Sequence, residues 1–153
     1  NPYVLRLKGE EYRVDYSPGD STTRMFGGNS NWRGPIWLPL NFLLIEALER
    51  YHFYYGDELT VECPTGSGKW LTLKEVAAEI ARRLGRIFLP DEHDLVPCHG
   101  RFARRFRDDP AFRDLLLFHE YFHGDTGAGL GADHQTGWTS LVVRCIEKAR
   151  GGR

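Results

Sequence analysis

The chain has 153 residues, room for one ordinary domain or part of a larger one, with 41% hydrophobic and 27% charged side chains. A formal net charge of −1 and a pI near 6.7 give no electrostatic case for a nucleic-acid or anionic-membrane partner. Three widely separated cysteines, Cys63, Cys98 and Cys145, form no C-x-x-C pair, so neither a disulfide framework nor a cysteine zinc site is indicated.

The chain opens Asn1-Pro2-Tyr3 without an initiator Met, which suggests a piece of a longer protein. Residues 3–16, "YVLRLKGEEYRVDY", alternate apolar and polar side chains around a Lys-Gly-Glu turn and predict a β-hairpin. Residues 17–37 are dense in Ser, Gly, Asp and Asn and predict a loop. Pro39 stands where a helix can begin, and "LNFLLIEALERYHFYYG" follows with helical spacing of apolar residues and a Gly56 stop. After the loop "CPTGSGKWL", Thr72 and Glu75 form a capping-box pattern that opens a helix over 73–88. Residues 89–108 are polar and charged. Asp109-Pro110 starts a predicted third helix over 111–123, which Gly124 halts, and a last helix is expected over roughly 138–149. Long loops between helices are uncommon unless they carry function, and the set looks incomplete as a closed domain. The thiols read as mostly buried groups of a reducing compartment, so a cytoplasmic location is expected; no apolar run approaches a membrane span.

Three motifs need weighing. "PTGSGKW" looks like a phosphate loop, but position 63 is Cys, position 70 is Trp, and the magnesium-binding hydroxyl is missing, so it reads as a turn. "RFARRFR", Arg101 to Arg107, reads as a solvated face paired with Asp108 and Asp109 rather than a nucleic-acid patch. "HEYFH" would place His119 and His123 one turn apart on a helix, able to share zinc while Glu120 activates a bound water. His134 or Asp133 could supply a third ligand, yet the extended spacing fails, with Thr at 126 and Gly at 129. The plain alternative is two histidines near a helix C-terminus.

The other reading of Glu120 starts from its neighbours. A Gly-rich loop follows it, with Tyr121, Asp125, Gln135 and Trp138 close in sequence. A second loop, "GGNSNWRGPIWLPLN", carries Asn29, Asn31, Trp32, Arg33, Trp37 and Asn41. Flat aromatic faces stack on sugar rings, while amides, Asp and Arg bond hydroxyls, so the two loops suit a neutral, hydroxyl-rich substrate. For any single residue a turn Asn, a packed Trp or a salt-bridged Arg serves equally well. Two such loops in one short chain tip the balance.

At these residues the sequence resembles the C-terminal part of the catalytic domain of glycoside hydrolase family 63. "GGNSNWRGPIWLPLNFLLIEAL" and "EYFHGDTGAGLGADHQTGWTSLV" match in the expected order, and the intervening segment looks like the bacterial glucosidase-like branch, which has mannosylglycerate hydrolase relatives. The resemblance implies a mainly α fold, a partial (α/α)6 barrel with a small N-terminal hairpin and long active-site loops. It makes residues 1–153 a C-terminal fragment of one such glycosidase domain. It implies an inverting, metal-independent and cofactor-free α-glycosidase of carbohydrate metabolism with Glu120 as general base. Trp32, Arg33 and Trp37 would bind substrate, with Asn31, Tyr121, Gln135 and Trp138 as further contacts. Position 31 is Asn where relatives can carry Tyr.

The family's general acid is an Asp well upstream of W-R-G-P-x-W. Only about thirty residues precede Trp32 here, and neither Asp15 nor Asp20 sits in an acid motif, so the acid is expected outside this chain and the isolated fragment to be inactive. The expected partners are a carbohydrate substrate and the remainder of the same catalytic domain. The two competing readings are a zinc hydrolase built on His119, Glu120 and His123, and a non-catalytic carbohydrate-binding piece.

Overall fold

The computed structural model describes residues 2–22 and 32–150, except the side chain of Thr136. Strands β1 (Tyr3–Leu7) and β2 (Glu10–Val14) form the expected hairpin, in register Tyr3↔Val14 to Leu7↔Glu10. Lys8 and Gly9 both take positive φ, as a two-residue hairpin turn with the strands' own twist requires.

Helix α1 (Leu38–Tyr55) begins with Pro39 in its first turn and ends at Gly56, whose N–H donates to the His52 carbonyl. A short hairpin, β3 (Thr60–Glu62) with β4 (Trp70–Thr72), leads into α2 (Leu73–Arg86). The capping box predicted there is present. The Thr72 hydroxyl accepts from the Glu75 N–H, and the Glu75 carboxylate accepts from the Thr72 N–H at 2.7 Å. A 3-10 segment, Pro97–Phe102, and the short α3 (Ala103–Asp108) follow. Strands β5 (Tyr121–Phe122) and β6 (Gly129–Leu130) pair antiparallel, and the chain closes with α4 (Thr136–Thr139) and α5 (Leu141–Ala149).

The core lies where α2 packs against α1 and α5. Leu38 and Ile45 of α1, Ala77, Ala81 and Leu84 of α2, and Val142 and Cys145 of α5 meet there, joined by Phe88, Cys98 and Phe122. Each large apolar side chain removed from water in this way contributes about 1.5–3 kcal/mol. Gly85 lets α5 approach α2, since a Cβ at that position would stand 3.2 Å from Ile146 Cγ1. Lys148 of α5 pairs with Glu46 and Glu49 of α1 at the edge of this layer. Burial pushes the Cys98 thiol up to about 12 and the Cys145 thiol up to about 11, so both are inert protonated groups.

Three expectations are corrected. The mainly α, (α/α)6-barrel fold is not there: among the described residues the architecture is mixed α/β, with α1, α2 and α5 forming one packed layer beside three two-stranded antiparallel sheets. The helix predicted over 111–123 does not form, and the last predicted helix is divided into α4 and α5 at Ser140.

The reason for the missing third helix is tertiary. Phe122 exchanges two backbone hydrogen bonds with Ile36, at 2.7 and 3.0 Å, while Glu120 N–H donates to Ala132 O and His123 N–H to Ala128 O, each at 2.8 Å. Phe122 is also completely buried, edge-on to Phe88. Four cross-chain bonds at about 0.5–1.5 kcal/mol each, plus that burial, outweigh the helix preference of a His-Glu-Tyr-Phe-His run whose aromatic and His members are mediocre helix formers.

Candidate active site

The segment after Trp32 and the strand β5 are brought together by that Ile36–Phe122 bridge. The bridge aligns side chains roughly eighty to ninety residues apart. Trp32 stacks on Trp37 with ring centroids 4.0 Å apart, and Trp37 stacks on Tyr121 at 4.5 Å. Trp138 meets Trp37 edge-on at 6.2 Å, and its indole N–H donates to the Glu120 carbonyl at 3.1 Å. The result is a three-ring stack whose inner members, Trp37 and Tyr121, are each 3% exposed, while Trp32 at its outer end is 54% exposed. Aromatic stacking of this kind adds about 0.5–1.5 kcal/mol per pair beyond burial.

Glu120 is half-buried beside this stack, immediately before β5. Its Oε2 accepts from the Ala132 N–H at 3.2 Å. The room for that carboxylate is made by Gly131: a Cβ there would lie 2.6 Å from Glu120 Oε2 and 2.7 Å from Tyr121 Cε1, and its φ of +70 is one that L side chains resist. Thr139, wholly buried, donates its hydroxyl to the His119 carbonyl at 2.6 Å, which fixes the chain leading into Glu120.

The segment Tyr16–Ser21 is strapped across β5. Tyr16 donates its hydroxyl to Asp125 at 2.7 Å, and Gly124 N–H donates to Pro18 O at 2.8 Å. Tyr121 in turn donates its hydroxyl to Asp20. Two glycines make the crossing possible. A Cβ on Gly34 would stand 2.0 Å from the Ser17 carbonyl oxygen, and one on Gly124 would stand 2.2 Å from the Gly34 carbonyl oxygen. Burial, the Asp20 hydrogen bond and the nearby Glu120 charge hold the Tyr121 phenol far above its ordinary range, so it remains a donor.

Arg33, Gln135 and Asn41 make the following contacts. Arg33 is half-buried, accepts from Ser17 N–H through its carbonyl, and borders a cavity of about 150 Å³ with Arg13, Asp15, Ser17, Ser21 and Thr22. Gln135 stands at the N-cap position of α4 without a side-chain cap bond, and its N–H donates to Phe118 O at 2.6 Å. Asn41 donates its side-chain amide to Trp37 O, steadying the start of α1. Asn29 and Asn31 lie outside the described residues.

The zinc geometry predicted for "HEYFH" is not what the fold provides, because these residues are extended rather than helical. His123 Nδ1 accepts from the N–H groups of Asp125 and Thr126, both at 3.3 Å. His119 Nδ1 lies 2.9 Å from Asp133 Oδ1. Burial pushes His119 below the ordinary imidazole range, opposed by Asp133. Among the described residues no three His, Cys, Asp or Glu side chains come together as a metal site.

Asp125 was marked by the Gly-rich loop, but Tyr16 and Asp20 were not marked as its companions: their local signal is the "YSPGD" turn, and nothing in the spacing links position 20 to position 121.

Comparison with known proteins gives two relatives. The chain is 52% identical over 147 residues to an uncharacterized protein of Saccharomyces cerevisiae, a match covering 95% of this chain and 14% of that protein. It is also 26% identical over 122 residues to the mannosyl-oligosaccharide glucosidase of Saccharomyces cerevisiae, covering 79% of this chain and 11% of that enzyme. The chain therefore spans a small part of the length of both relatives. No protein-family profile matches it, and no solved structure matches it. The chain is thus distantly similar to a glucosidase over most of its own length.

Proposed function

We propose that this chain is part of a family-63-type inverting α-glycosidase and contributes the general base, Glu120, and one aromatic wall of its sugar site. In the step envisaged, Glu120 takes a proton from water as the water oxygen bonds to the anomeric carbon. The glycosidic C–O bond breaks, and its oxygen takes a proton from a carboxylic acid supplied by polypeptide beyond these 153 residues. The observation that carries the reading is the placement of a half-buried carboxylate beside a Trp32–Trp37–Tyr121 stack whose outer ring is open to solvent. The 26% identity to a glucosidase supports it from outside the geometry.

The remainder of the same polypeptide is the partner this reading requires. Leu40, Leu43, Leu44, Tyr51, Phe53 and Tyr54 of α1 are all exposed, Phe53 by 93%, and an apolar face of that extent marks a contact surface.

The test is Glu120→Gln in the intact protein, with 4-nitrophenyl α-glucoside and an α-linked gluco-oligosaccharide as probes. Removing a general base lowers kcat by about 10²–10⁴-fold, and KM should change little. Turnover within a few-fold of wild type would sink the assignment. Retained sugar binding by both proteins with no hydrolysis by either would favour a non-catalytic carbohydrate-binding role, for which the exposed Trp32 face suffices.

A further inference from the structure

We propose that Asp20 is a second sugar-binding carboxylate of this site, positioned by Tyr121 to accept from a substrate hydroxyl and to favour neutral or cationic sugars over anionic ones. The inference rests on the glycosidase reading above and names the class of sugar that this side of the site admits.

Asp20 is 101 residues from Tyr121 in sequence, yet it accepts a hydrogen bond from the Tyr121 hydroxyl. Tyr121 follows Glu120 directly and is the inner ring of the aromatic stack. Asp20 therefore stands at the hydroxyl end of the ring whose backbone carries on from the proposed base. Glu120 Oε2 and Tyr121 Cε1 lie 2.6 and 2.7 Å from one point, where a Cβ on Gly131 would stand, so the Glu120 carboxylate flanks the same ring that bonds Asp20. An ionised carboxylate offers about four lone-pair sites. Tyr121 occupies one of them, and Asp20 is otherwise exposed, so acceptor capacity remains for a sugar hydroxyl. A substrate carboxylate entering here would meet two negative charges and lose those hydroxyl bonds; a protonated iminosugar would gain from both.

A purely structural clamp is the competing account of the same bond, and the fold separates the two. The strap is already held by Tyr16 on Asp125, by Gly124 N–H on Pro18 O, and by Ser17 N–H on Arg33 O at 3.4 Å. Three hydrogen bonds besides the one from Tyr121 to Asp20 therefore tie the segment down. Asp20→Asn leaves an amide oxygen to accept from Tyr121 and removes only the charge. Tyr121→Phe keeps the ring stack and releases Asp20.

The experiment titrates the intact wild-type protein, Asp20→Asn and Tyr121→Phe with 1-deoxynojirimycin, glucose and glucuronate by calorimetry, with the melting temperature of each variant measured alongside. The wild type should bind the cation most tightly and glucuronate at least tenfold more weakly than glucose. Asp20→Asn should lose about tenfold in affinity for the cation and narrow the cation-to-anion ratio, at an unchanged melting temperature. Tyr121→Phe should weaken both the cation and glucose several-fold.

Wild-type affinities in Asp20→Asn, or glucuronate bound as tightly as glucose by the wild type, would overturn this assignment while leaving the glycosidase reading intact. A large fall in the melting temperature of Asp20→Asn would make the residue a structural clamp and overturn it too. Failure of the wild type to bind any of the three sugars would overturn the glycosidase reading and this inference together.

Discussion

At the scale of single residues, the site depends on side chains that are missing as much as on those present. Gly34 and Gly124 allow three backbone segments to cross where any Cβ would meet a carbonyl oxygen at about 2 Å. Gly131 does the same for the Glu120 carboxylate, and its positive φ adds a second requirement. Gly131→Ala should therefore push Glu120 aside, because the methyl group has nowhere else to go. A displacement near 1 Å in a reacting group costs on the order of 100-fold in rate. The expected outcome is a drop in kcat of that size in the intact protein, with a stability loss of about 1–3 kcal/mol in urea titration. Full activity in Gly131→Ala would mean that the carboxylate is not needed at its observed position. Glu120 and the tryptophans were legible in the sequence as candidates, because residue type announces their chemistry. The glycines that seat them were visible only as a loop-like composition.

At the scale of elements, local chemistry accounts for some of what forms and not for the rest. The α2 capping box was legible because Thr72 and Glu75 need only each other and the intervening backbone. Two hydrogen bonds from Thr72, led by its backbone N–H, hold the Glu75 carboxyl below the usual carboxylate range. A lowered folded-state value means a contribution present above the unfolded value and lost as pH falls through the folded one. Thr72→Ala should cost about 1 kcal/mol near neutral pH, read as a shift in the urea midpoint. The difference between variant and wild type should shrink once the solution is acid enough to protonate Glu75. A cap worth nothing at pH 7 would show that α2 is held by packing alone. The 111–123 segment fails in the opposite sense. Its apolar spacing suits a helix, but the partners that turn Glu120–His123 into strand lie at Ile36, Ala128 and Ala132.

At the scale of the molecule, two imidazoles are withdrawn from solvent, His99 buried and His119 half-buried. His99 is 6% exposed and stacks on Phe106 at 3.9 Å, while His119 faces Asp133. Burial is the main cause that pushes both below the ordinary imidazole range, with the Leu115 carbonyl opposing it at His99 and Asp133 opposing it at His119. Depressed histidines bind fewer protons folded than unfolded. Their stabilisation is complete above the unfolded value near 6.5 and is lost as pH drops toward the folded values. Stability should therefore decline as pH falls below about 6.5, before most carboxylates titrate. Urea midpoints across that range should flatten in His99→Gln, which leaves His119 as the remaining contributor. A wild-type profile flat over that interval would contradict this account.

The amino-acid sequence by itself determined the elements whose reasons are local: the Lys8-Gly9 hairpin, the Pro39 start and Gly56 end of α1, and the capped α2. It also marked Glu120 and the aromatic residues by their chemistry. Tertiary structure alone decided that the "HEYFH" segment is extended, that the helices make a single layer in place of a barrel, and that Asp20 reaches Tyr121. Helix caps and tight turns are satisfied within a few residues, so their partners can be read along the chain. The Ile36–Phe122 bridge, the crossing of Gly34 by Gly124 and the Tyr121–Asp20 hydrogen bond, which spans 101 residues, join distant segments, and their partners exist only after the chain has folded.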